Sequence, residues 1–103
     1  MPQQDTSTRT DTRTRVDVKE PPMFKVIYIN DETTAIDFVI GSLIEHFNYT
    51  NDTAEEITMN IHNTGSAVVA VLPYEIAEQK GIEITVAARA QGYPLQIKLE
   101  PTA

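Results

Sequence analysis

The strongest hydrophobic pattern in the chain begins at Met23. From there to Asn30 the run Met-Phe-Lys-Val-Ile-Tyr-Ile-Asn is β-branched and aromatic, bounded by Pro22 before it and Asn30-Asp31 after it, which predicts a strand. The period then changes. Ile36, Val39, Ile40, Leu43, Ile44 and Phe47 fall at i, i+3, i+4, i+7, i+8 and i+11, one face of a helix for which Thr33 or Thr34 is the expected N-cap. A second helix is expected from Asp52-Thr53, where Thr53 and Glu56 have capping-box spacing, through Ile57 and Ile61 to a stop at Gly65. Ala67 to Leu72 is too short for a helix and rich in Val, so it reads as a buried strand. Pro73 suits the first turn of a third helix, which runs over an internal Gly81 to Gly92. Pro94 then opens a last strand in which Leu95, Ile97 and Leu99 alternate with Gln96, Lys98 and Glu100, leaving one face wet. The order βααβαβ predicts an α+β domain, a three-stranded antiparallel sheet with its helices packed on one side.

The N-terminal residues fit none of this. Residues 1–22 place Thr at positions 6, 8, 10, 12 and 14, and only Met1, Val16 and Val18 are apolar. A polar strand with no apolar face has nothing to bury, so a disordered N-terminal extension over 1–22 and a folded core over 23–103 are expected. With 103 residues the chain is one domain. The extension is neutral, and the core carries the whole net charge of −7. That balance argues against nucleic-acid backbones, which are bound through clustered Lys and Arg, and favours a cationic partner. Absence of Cys removes disulfides and thiolate chemistry and fits a reducing compartment, the cytoplasm. No apolar run approaches the roughly 20 residues that span a bilayer, so no membrane partner is expected.

The residues available for catalysis are few. His46 and His62 lie on different expected helices, outside the i, i+4 spacing of paired metal ligands, so neither a metal site nor a cofactor is expected. Ser42 and Ser66 lack a nucleophile elbow, and the four Gly residues form no phosphate loop. An enzyme is therefore disfavoured. More informative is Asn30-Asp31-Glu32, set where an apolar strand ends and a helix begins. Two readings stay open there. Asn and Asp commonly form such turns, because they cap helices and tolerate unusual backbone angles. Alternatively an amide oxygen, a carboxylate and the imidazole of His62 could accept the N–H donors of an ammonium group.

Lys25-Val26-Ile27-Tyr28-Ile29-Asn30-Asp31-Glu32-Thr33-Thr34, followed by Asp37-Phe38-Val39-Ile40, resembles the signature of the ClpS family of Clp protease adaptors. The likeness continues in order through Ile61-His62, Gly65, Glu75 to Lys80 and Tyr93-Pro94-Leu95, and covers roughly residues 21–101. The resemblance implies an adaptor that binds proteins with destabilising first residues (N-degrons) and delivers them to the ClpAP unfoldase-protease. It implies that Asn30, Asp31 and His62 hold the substrate's α-amino group. Ile36, Val39, Thr58, Ile61 and Leu95 would line the pocket for its first side chain. It further implies that Glu75 and Lys80 contact the N-terminal domain of a ClpA-type unfoldase, and that the extension serves in hand-over.

An α-amino group has a reference pKa near 8, so at neutral pH it is a donor-only cation that needs acceptors and negative charge. Departures from the family bear on the guest. Many members carry Asp where this chain has Glu32, and Met at the positions of Ile36 and Thr58. β-branched Ile and Thr are stiff where Met adapts, and Thr58 is expected to put a hydroxyl on an apolar wall. The expected guests are Leu, Phe, Tyr and Trp, with Ile and Val disfavoured and the adaptor monomeric. A competing expectation is a general interaction module similar to the C-terminal domain of the ribosomal stalk protein, which would lack amine recognition.

Overall fold

The computed structural model describes residues 21–103; the expected extension over 1–22 lies outside these apart from Pro21 and Pro22. The order of elements is β1 (Met23–Ile29), α1 (Ile36–Phe47), α2 (Asn51–Thr64), β2 (Ser66–Pro73), α3 (Tyr74–Ala90) and β3 (Gln96–Pro101). Together they form the expected α+β fold. The sheet is antiparallel in the order β2-β1-β3, so the first strand is the central one. Tyr28 stands opposite Ala67 on one side and Ile97 on the other. Side chains alternate across a strand, so the fully buried Val26 and Tyr28 share one face of β1 while Lys25, Ile27 and Ile29 share the other. The core joins Val26 and Tyr28 to Leu43 of α1, Ala54 and Ile61 of α2, Val69 of β2 and Ala77, Ile84 and Ala88 of α3.

The polar atoms of this core are paired. The Ser42 hydroxyl donates to the Val39 carbonyl at 2.8 Å, so its oxygen is left to accept the Tyr28 hydroxyl, also at 2.8 Å. Burial pushes the Tyr28 phenol up to about 12, against a smaller downward effect of the Ser42 hydrogen bond.

β2 departs from expectation. It is an edge strand covered on one face, with Val68 and Val71 exposed at 49% and 46%. Its unbroken apolar run imitates a strand buried on both faces, but an antiparallel sheet with helices on one side leaves the other face open. A bulge adds to the disguise. Val26 pairs with Ala70 and Ile27 with Val68, so Val69 is the extra residue of a two-against-one step. The Tyr49 hydroxyl, from the α1–α2 connection, donates to its carbonyl at 2.6 Å. Tyr49→Phe leaves that carbonyl without its donor and should cost about 1–3 kcal/mol of stability, read as a lower urea midpoint.

The helix starts also move. α1 has Ala35 at its N-cap with no side-chain cap: the helix starts at Ile36, one residue too late for Thr33 or Thr34 to hold the cap position, and both threonines instead lie in the turn whose N–H groups donate to the Asp31 carboxylate. α1 ends on Asn48, whose φ of 61° is the left-handed conformation Asn tolerates. α2 starts earlier than expected, capped by the Thr50 hydroxyl, which accepts the Thr53 N–H at 3.2 Å; Thr53 itself lies inside the helix. Gly65 ends α2 with φ 96°, as expected. Pro73 belongs to the end of β2 and caps α3 from outside instead of opening its first turn. α3 stops at Ala90, two residues before Gly92, and β3 begins at Gln96, not Pro94. Among the described residues no helix is long and apolar enough to cross a membrane.

Candidate functional site

Four separate segments meet at the C-terminal end of β1. As that strand ends it delivers Asn30 and Asp31, and the Asn30 N–H donates to the Gly65 carbonyl at 2.9 Å. This bond ties the end of the strand to the end of α2, whose last turn carries His62. On α2, Thr58, Ile61 and His62 follow i, i+3, i+4 and so share a face; Thr58 and Ile61 are buried and His62 is exposed. The first turn of α1 contributes Ile36, half exposed, and Val39, buried. The segment before β3 contributes Leu95, 2% exposed.

All eight residues line one cavity of about 250 Å³: Asn30, Asp31 and His62 together with Ile36, Val39, Thr58, Ile61 and Leu95. Tyr28, Ile29, Glu32 and Thr34 complete the lining. Tyr28 was legible only as part of the first strand. Its position on the inward face of β1, two residues before Asn30, is the signal that extends the wall beneath the rim. Glu75 and Lys80 lie apart from the cavity, on α3, with Glu75 exposed and Lys80 partly buried.

The rim is organised around Asp31. Its Oδ1 accepts the N–H groups of Thr33 at 2.8 Å and Thr34 at 2.6 Å, and its Oδ2 accepts the Thr34 hydroxyl at 2.8 Å. Burial alone would raise its pKa, but these hydrogen bonds and the positive charge of Arg89 outweigh that, and the carboxyl titrates below its ordinary range. A carboxylate offers about four lone-pair sites, so one on Oδ2 remains for a further donor. The turn and cation readings of Asn30-Asp31-Glu32 are therefore compatible, since one carboxylate builds the turn and keeps an open acceptor. The wall is more apolar than the sequence suggests. The Thr58 hydroxyl donates to the Ala54 carbonyl of its own helix at 2.7 Å, so its proton is taken within α2.

The site is thus an apolar recess beneath a polar, anionic rim, set in a small α+β domain. The family model for the ATP-dependent Clp protease adaptor protein ClpS matches residues 19–98. A Helicobacter hepaticus Clp protease adapter ClpS is 42% identical over 83 residues, covering 81% of this chain and 84% of that protein. A Bradyrhizobium diazoefficiens ClpS 1 is 41% identical over 97 residues, covering 94% and 96%. The structure of Agrobacterium tumefaciens ClpS2 bound to L-phenylalaninamide superposes with a TM-score of 0.76 at 38% identity, covering 80% of this chain and 99% of that one. The chain belongs to the ClpS family: it is an adaptor of the Clp protease and not itself an enzyme.

Proposed function

We propose that this adaptor captures proteins by a free α-amino group and a bulky apolar first side chain, and delivers them to a ClpAP-type unfoldase-protease. One observation carries the reading: Asn30, Asp31 and His62 rim the same cavity whose walls are Val39, Ile61 and Leu95. In it the ammonium donates to Asn30, to the free acceptor of Asp31 and to the imidazole of His62. The first side chain drops between α1 and α2. L-Phenylalaninamide, held by the Agrobacterium relative, is a free α-amine beside a benzyl group, which supports the same division of labour.

Each hydrogen bond to a charged group contributes about 1.5–3 kcal/mol, and burial of a Leu or Phe side chain about 1.5–3. Against the several kcal/mol lost on association, the net corresponds to roughly micromolar binding. Glu75 and Lys80 on α3 provide the surface for the N-terminal domain of a ClpA-type unfoldase. The adaptor acts as a monomer in the cytoplasm. An affinity panel of peptides differing only in the first residue tests the reading. Leu and Phe should bind at micromolar concentration, Tyr and Trp next, and Ser at least about ten-fold more weakly. An affinity independent of the first residue would leave the plain interaction module as the better account.

A further inference from the structure

Leu95 forms a wall of the cavity, yet it belongs to neither a helix nor a strand. The segment between α3 and β3 turns through Gly92, with φ 79°, and the Tyr93 N–H returns to the Ala88 carbonyl at 2.9 Å. The Tyr93 ring meets Phe38 of α1 edge-on, 5.5 Å between centroids. What holds Leu95 itself is a cation. A single guanidinium nitrogen of Arg89, Nη1, donates to the Tyr93 carbonyl at 2.8 Å and to the Leu95 carbonyl at 2.9 Å. Both hydrogens of that nitrogen are thereby used on carbonyls two residues apart.

We infer that Arg89 is a positioning residue for recognition of the first side chain: its staple across Tyr93 and Leu95 sets the Leu95 wall against which that side chain packs. The same guanidinium also favours the charged form of Asp31. Arg89 touches no substrate in this account, and it acts through backbone it holds in place. The inference rests on the proposed function.

The test uses the full chain and peptides that begin with Phe, Leu or Ala. Arg89→Met keeps the apolar stem and removes the donors; Arg89→Lys restores a nitrogen with hydrogens and charge. With two hydrogen bonds lost, Arg89→Met should weaken the Phe-first peptide roughly ten-fold and the Leu-first peptide, whose shorter side chain reaches less of the wall, by a smaller factor, so that the Phe-to-Leu ratio falls, while the Ala-first peptide, which barely reaches the wall, moves little. Arg89→Lys should recover most of the loss. Should Arg89→Met fail to fold, Arg89→Gln, whose amide nitrogen also carries two hydrogens but no charge, is compared with Arg89→Ala in the same panel, and the Gln variant must bind the Phe-first peptide more tightly. A wild-type chain that binds none of the peptides overturns the functional reading. Wild-type binding with an unchanged Phe-to-Leu ratio in Arg89→Met, or a loss that Lys does not relieve, overturns the role of Arg89 alone.

Discussion

A Phe-first peptide acetylated at its α-amino group should bind at least about a hundred-fold more weakly than the free peptide. Acetylation replaces a cation with three donors by a neutral amide with one, and adds bulk where the rim closes. Losing two charge-assisted hydrogen bonds removes about 3 kcal/mol or more, which is two decades in affinity. The matching change on the protein is Asp31→Asn. The Asn oxygen can still accept the N–H groups of Thr33 and Thr34, so the turn survives while the negative charge is lost. Affinity should fall at least about ten-fold, with a smaller drop of a few degrees in the thermal midpoint, because the Thr34 hydroxyl loses its acceptor and the folded state loses the charge that its hydrogen bonds favoured. Asp31→Ala is a poorer probe because it also removes the acceptor that shapes the turn.

The pH dependence follows with its sign. Asp31 has a folded-state pKa below its unfolded value of 3.8, so its contribution to stability is present above about pH 4 and is lost as pH falls through the folded value. Across neutral pH the carboxylate is therefore always charged, and the limit on the alkaline side is the peptide's own amine, which loses its proton near pH 8. Titration calorimetry of free and acetylated peptides reads all of this. Equal affinities would exclude amine capture.

Leu43→Ala should bring the largest loss of stability, about 2–5 kcal/mol. Leu43 is fully buried on α1, between the sheet and the neighbouring helices, and a vacated side chain there leaves a cavity that packed neighbours fill only in part. A domain of this size holds on the order of 5–15 kcal/mol in all, so the variant should melt more than 10 °C lower in a thermal scan. Ile82→Ala is the control. Ile82 is 57% exposed on α3, and its truncation should shift the midpoint by only a few degrees. Equal shifts for the two would mean that α1 does not carry the core.

The helix from Ile36 to Phe47 was legible from its periodic stripe, but only in part as a buried face: Val39 and Leu43 are buried, Ile36 and Ile44 are exposed, and Ser42, outside the stripe, is buried. The Gly65 stop was plain, since a left-handed residue there selects Gly. Capping was less legible. Thr33 and Thr34 look like caps for α1, but the Asp31-centred turn that holds their N–H groups delays the first helical residue to Ile36, a shift that spacing alone does not reveal. The run from Ala67 to Leu72 concealed both its edge position and its bulge, because register is decided by the partner strand and by Tyr49 some twenty positions away.

At the candidate site, the rim and wall residues were reached through the family pattern. Periodicity identified Val39 and Ile61 only as apolar faces. No sequence pattern singled out Arg89, and the carbonyls it holds become visible only when the turn after α3 is built.

The recess draws its sides from the end of β1, from α1, from α2 and from the stretch ahead of β3, pieces that lie up to some sixty-five positions apart along the chain. No fragment contains it. Loosening of the fold should therefore dissolve the recess in the same event, so that binding and folding are lost together. A seated guest in turn braces all four pieces at once and resists that loosening by simple mass action.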